Sequence, residues 1–91
     1  MKLFNYMDNG QANAMCLELD FYMEIWFSYE TPVAFRTPET GLIVSQNIWT
    51  TTTGKHLNAI DNGNKMKRIP NAEFTDKLRA MLSKFHFESR D

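Results

Sequence analysis

The chain has a single cysteine, Cys16, which excludes an intramolecular disulfide and a cysteine-ligated metal cluster and, with them, the stapled secreted miniprotein. A reducing cytoplasm fits this usage. No stretch reaches the roughly 18 consecutive apolar residues of a membrane span, and the first residues, MKLFNYMDNGQ, lack the apolar segment and small-residue cleavage site of a signal peptide. A soluble intracellular chain with no membrane partner is expected. The net charge of −1 argues against strong non-specific binding to nucleic acid. Internal repeats, low-complexity tracts and linkers are lacking. With 91 residues there is apolar surface for one core only, so residues 1–91 are expected to form a single domain in which 1–14 are an N-terminal arm or a short strand.

What is present is apolar and aromatic. Hydrophobic residues make up 43% and aromatics 13%, enough for a real core in a short chain. In CLELDFYMEIWFSY, residues 16–29, Leu17, Leu19, Phe21, Met23, Ile25, Phe27 and Tyr29 alternate with Cys16, Glu18, Asp20, Tyr22, Glu24, Trp26 and Ser28. Period-2 alternation with Phe, Tyr, Ile and Trp predicts one long strand over 15–29, with a bulge or bend because of its length. Pro32 marks entry to a strand over 33–36, TPETG at 37–41 reads as a hairpin loop, and 42–49 returns antiparallel. A short helix follows TTTT at 50–53, capped by the Thr51 or Thr52 hydroxyl, with Leu57 and Ile60 on one face and a stop at Asn62–Gly63. The last helix is capped by Asn71 and carries an apolar stripe of Phe74, Leu78, Met81, Leu82 and Phe85. The expected fold class is α+β: an antiparallel meander of three or four strands, with the short helix and the longer C-terminal helix packed on one face.

The motifs carry little chemistry. TTTTGKH lacks the first glycine of a phosphate-binding loop and has His56 where Ser or Thr would hold magnesium. His56 and His86 have no neighbours at zinc-ligand spacing, so no metal and no cofactor is expected. His56 with Cys16 is the combination of base and nucleophile available, and nothing nearby activates that thiol. Glu18 and Asp20 stand at a plausible acid/base spacing, but adjacent acids on a strand are ordinary solvated charge. No catalytic residue is assigned, and the chain reads as non-enzymatic.

Two surfaces remain as candidates. Glu18, Asp20, Tyr22, Glu24 and Trp26 share one face of the alternation, and large aromatics among acids favour contact with a partner over plain solvation. The competing reading is that residues 1–14 or a loop cover Tyr22 and Trp26. Self-association through this face, or through a strand edge, as a symmetric homodimer is a third. Charge is also polarised: residues 1–45 hold two cations against six acids, a net of −4, and residues 46–91 hold eight against five, a net of +3. Within the basic half, Lys65, Lys67, Arg68, Lys77 and Arg79 form a strip able to meet phosphates. It lacks interleaved aromatics and a helix-turn-helix pattern, so direct nucleic-acid binding is the lesser reading.

FSYETPVAF and IWTTTTGKHLNAI together resemble a motif pair found in small proteins of bacteriophages and related mobile elements. There a Ser-Tyr-x-Thr-Pro-Val-Ala segment is followed by an aromatic strand end and a Thr-Thr-x-Lys-His helix start. The matching residues are Ser28, Tyr29, Thr31, Pro32, Val33 and Ala34, then Trp49, Thr52, Thr53, Lys55 and His56, within about a third of the chain. That family has no established activity, so the resemblance implies a context, the cytoplasm of a host cell, and transfers no catalytic role. The expectation is a non-enzymatic phage-type accessory protein that binds a host protein or ribonucleoprotein complex, anti-CRISPR-like inhibition of host defence being its most specific form. The alternative is a nucleic-acid-associated accessory protein using the basic strip. Tyr29 and His56 are expected to form a buried polar contact beneath the motif.

Overall fold

The computed structural model describes residues 1–7, 13–20 and 22–89, with side chains described as far as Lys84. Five strands, β1 (Lys2–Asn5), β2 (Met15–Leu19), β3 (Met23–Ser28), β4 (Thr31–Thr37) and β5 (Gly41–Val44), are followed by α1 (Thr51–Asp61), a one-turn 3-10 helix at Lys65–Lys67, and α2 (Asn71–Ser89). The strands lie in one antiparallel sheet in the order of the chain. The α+β class and the meander are therefore as expected, with five strands rather than three or four. Residues 8–12 of the expected N-terminal arm or short strand, and the side chains of Phe21 and Phe85, lie outside the described residues.

The long alternating stretch is a hairpin and not one strand. The Tyr22 amide donates to the Leu19 carbonyl at 3.1 Å and Asp20 adopts φ 55°, a left-handed position that Asp tolerates better than most residues. Leu19 then faces Met23 and Leu17 faces Ile25. Because this connection has three residues, odd-numbered positions stay on one face through the reversal, and the alternation carries no mark of the break.

The same even register links β1 to β5 everywhere except the end of the β3–β4 pair, so Leu17, Ile25, Phe35 and Ile43 line one face across the sheet. Phe74 and Leu78 of α2 pack there with Met23, Ile25 and Phe35, and the Phe35 and Phe74 rings lie 5.7 Å apart. Even-numbered positions face the other way. Ala34 and Val44 pack with Leu57 of α1, flanked by Trp26, Trp49 and Ile60. A bulge in β4 opposite Trp26/Phe27 makes Val33 an extra residue and lets it join Ala34 under α1. The two helices thus cover opposite faces, where one covered face was expected. The second face is not open because α1 turns a short apolar and hydroxyl-bearing side towards it.

Ends of elements also differ in detail. The α1 cap is Thr50, whose side chain accepts from the Thr53 amide, one residue before the expected position. Asn62, at φ 56°, ends this helix as expected. Trp49 lies beyond β5 rather than in it. Asn71 is the first helical residue of α2, and its side-chain amide donates to Ser45 Oγ at 3.1 Å, which fastens the helix to the end of β5. Ile69 bridges Ser45 in parallel, with the Gln46 amide donating to the Ile69 carbonyl and the Ile69 amide to the Val44 carbonyl. No helix of the described residues is long and apolar enough to cross a membrane.

Phe74 is 1% exposed at the centre of the α2 contact. Phe74→Ala is expected to lower stability by about 3–5 kcal/mol, read as a shift in the urea midpoint without a change in slope.

Candidate functional site

The acidic residues proposed from sequence do come together. Glu18, Asp20, Tyr22 and Glu24 line one cleft of about 300 Å³ with Met23, Arg36, Thr37 and Pro38. The hairpin explains this: Glu18 and Glu24 are register partners, and Asp20 and Tyr22 belong to the turn that joins their strands. Lys2 is paired to Glu18 on the outer side and Arg36 to Glu24 on the inner side. The cross-strand row therefore runs positive, negative, negative, positive. Arg36 donates to Glu24 through both Nε and Nη2, and its guanidinium lies over the Trp26 ring at 5.5 Å. The Lys2 ammonium lies over Phe4 at 5.6 Å, and the Met1 amine meets Asp20 at 2.7 Å. Tyr22 is 55% exposed. Trp26 is half-buried between Arg36 and the α1 cluster, so it is a wall of the fold rather than a free aromatic.

The basic strip is divided. Lys65, Lys67, Lys77 and Arg79 are exposed, but Arg68 is buried in an ion pair. Its Nε and Nη2 reach the two Asp61 carboxylate oxygens at 2.7 and 2.9 Å, and Nη2 also donates to Asn58 at 3.0 Å. Burial alone would raise the Asp61 pKa. The Arg68 hydrogen bonds and charge, with backbone amides of Gly63 and Asn64, outweigh it and hold the carboxyl below its usual value. Arg68 clasps the end of α1 and is withdrawn from any phosphate-facing surface.

A second cluster was not assembled by sequence reasoning. Ser28 ends β3, and Tyr29 and Glu30 make the two-residue turn into β4. Thr53 and His56 lie three apart on α1 and so share the side turned to the sheet. The Ser28 hydroxyl is 2.6 Å from His56 Nδ1 and 2.9 Å from Thr53 Oγ1. Thr50 Oγ1 in turn donates to Thr53 Oγ1 at 3.5 Å. The ordering that gives Ser28 and Thr53 one donated and one accepted bond runs from Thr50 to Thr53 to Ser28 to His56. It leaves Nδ1 as the acceptor and the proton on Nε2. Ser28, Thr53 and His56 are each no more than 3% exposed.

Tyr29 is exposed and meets His56 by ring packing, with centroids 6.0 Å apart, in place of the expected buried polar contact, while Tyr6 meets the imidazole edge-on at 6.1 Å. The hydrogen-bonding partner of His56 is Ser28. Tyr6 is itself held by its hydroxyl, which donates to the Phe27 carbonyl at 2.8 Å. Tyr29 has φ 58°, a strained value for a bulky residue, and its amide donates to the Asn13 carbonyl at 2.8 Å. Cys16, the thiol first paired with His56 on paper, is buried on β2. Burial, then the charges of Glu24 and Glu18, push its pKa up to about 12 against a smaller lowering by Arg36, so it is inert. The signal for Ser28 was its place on the same alternating face as Trp26, but only the turn and α1 bring the histidine to it. Among the described residues no group of three or more potential ligands could hold a metal ion.

The fold is thus a five-stranded antiparallel sheet held between two helices, with a buried hydroxyl–imidazole cluster where the β3–β4 turn meets α1. The chain belongs to a family of unknown function, DUF8033, whose model matches residues 1–76 and so spans the sheet, α1 and the start of α2. No curated protein and no solved structure matches it.

Burial lowers the His56 pKa below the ordinary 6.5. The unfolded chain therefore takes up this proton first as pH falls, so the His56 contribution is complete above about 6.5 and declines below it, towards the lower folded value. Stability measured by denaturant titration is expected to drop over that acid range, and His56→Asn, which does not titrate there, is expected to flatten the drop.

Proposed function

We propose that this is a binding protein that engages a basic surface of a host protein or ribonucleoprotein complex through the cleft of Glu18, Asp20, Tyr22 and Glu24. The observation that carries the reading is the setting of Glu18 directly across from Glu24. Like charges in register weaken a strand pair, and an incoming guanidinium or ammonium relieves that cost at the moment of contact. Arg36 already offsets Glu24 and the Met1 amine meets the turn acid Asp20, whereas the Lys2 ammonium is drawn over Phe4, so Glu18 is the carboxylate of the cleft most open to a partner's cation. Tyr22, exposed beside them, supplies aromatic area at low conformational cost.

A row of carboxylates of this kind imitates the phosphates that a basic channel normally receives. In its specific form the reading is a phage-encoded inhibitor that occupies the nucleic-acid-binding surface of a host defence complex, in the manner of an anti-CRISPR protein, within the host cytoplasm. Trp26 supports the cleft from beneath Arg36. Withdrawal of Arg68 into its pair with Asp61 removes the central cation of the competing basic strip.

The test is affinity capture from a nuclease-treated lysate of the host, comparing the native chain with Glu18→Lys/Asp20→Lys, whose fold is checked by circular dichroism. A ribonucleoprotein or basic protein held by the native chain and lost by the variant is the expected result. Equal recovery by both would reject the cleft, and recovery only when nuclease is omitted would transfer the function to nucleic-acid binding by Lys65, Lys67, Lys77 and Arg79.

A further inference from the structure

We infer that Ser28 is a nucleophile activated by His56, and that it accepts an acyl group from a small neutral ester held in the cavity between the β3–β4 turn and the start of α1. This goes beyond the binding reading and concerns a different part of the molecule from the acidic cleft. Ser28 Oγ and His56 Nδ1 are 2.6 Å apart, within the reach that proton transfer requires. The hydroxyl chain from Thr50 through Thr53 points each proton towards the imidazole, so the serine hydrogen is directed at the base. The imidazole is held in place by the Tyr6 and Tyr29 rings on either side. Its unprotonated state near neutrality, a consequence of burial, suits a base.

A cavity of about 140 Å³ adjoins this pair, lined by Ser28, Tyr29, Thr31, Val33, Trp49, Thr50 and Thr53. Its volume is well below the roughly 300–1,000 Å³ of sites that take cofactors or drug-sized ligands, which restricts it to a short acyl chain. Val33, Tyr29 and Trp49 offer apolar walls. The other lining groups are hydroxyls, and none of the seven side chains is charged, which favours a neutral carbonyl compound over a phosphate. Helix α1 begins in this wall, so its positive end favours negative charge developing nearby, with the Thr53 amide itself engaged by Thr50 Oγ1. The left-handed backbone of Tyr29, immediately after the nucleophile, is the kind of strain that gathers at reactive sites.

Ser28 Oγ bonds to the carbonyl carbon, its proton moves to His56 Nδ1, the bond to the leaving alkoxide breaks, and that oxygen takes the proton from His56. Water entering the cavity reverses the sequence, releasing the acid and restoring Ser28.

The experiment uses the full chain with an ethyl-sized alkyl fluorophosphonate, in which the Ser28 oxygen would bond to phosphorus as fluoride and the proton leave. Intact mass and peptide mapping are expected to find one adduct, on Ser28. His56→Asn, which keeps a hydrogen-bonding group near the Nδ1 position but no base, should slow labelling by about 100-fold or more. A dodecyl fluorophosphonate, too long for the cavity, should leave the native chain unmodified, a comparison that needs no variant. An unmodified native chain with the ethyl probe, modification elsewhere, equal reaction with both probes, or native-rate labelling of a folded His56→Asn chain would each overturn the assignment.

Discussion

Even register is the constraint on which the rest of this molecule depends. Except beyond the β4 bulge, where Phe27 faces Pro32 and Ser28 faces Thr31, the facing residues of each strand pair keep the same parity, so one alternation, begun at Leu17, is propagated sideways into β3, β4 and β5. That single choice decides what each helix meets. The odd face presents Ile25, Phe35 and Ile43 to the apolar side of α2. The even face offers smaller Ala34 and Val44 to α1, with Cys16 and Ser28 beside them. A slip of one residue in β2 would bring Glu18 into the α2 core and turn Leu17 outward.

Parity also explains why the two candidate sites belong to one surface of the sheet yet differ in character. Glu18 and Glu24 lie on the even face near the β2–β3 turn, and Ser28 lies on the same face at the opposite end of β3. Helix α1 covers only the second end. There, three polar side chains lose water and satisfy one another, and among the described residues no buried side-chain nitrogen or oxygen lacks a partner. At the first end the side chains border an open cleft, where Arg36 pairs with Glu24 and the Met1 amine with Asp20. The same strand thus runs from a solvated electrostatic surface to a dry hydrogen-bonded one within six residues.

Much of this was legible in the residues, and the failures have physical causes. Alternation identified the faces correctly because it survives a three-residue turn, and for the same reason it concealed the turn. Asp20 and Tyr22 carry neither the Gly nor the Asn-Gly that would have announced a reversal. Pro32, the TPETG loop and Asn62–Gly63 were readable because each needs a particular backbone angle. The face covered by α1 was not, since that helix buries Thr53 and His56 along with Leu57, and polar side chains at helical spacing do not look like a core. The clustering of the acids followed from the alternation, whereas the Ser28–His56 contact joins residues 28 apart and depends on the path between β5 and α1.

The outer strands of the sheet are β5 and β1. Towards β5 the outward hydrogen-bonding groups at Val44 and Gln46 are already taken by Ile69. Towards β1 the outer strand is four residues long and begins with Lys2. End-to-end stacking of sheets into fibres needs two long, flat, accommodating borders. Here one border is shortened by the chain's own connector and the other is brief and begins with a charge, two features that oppose such stacking.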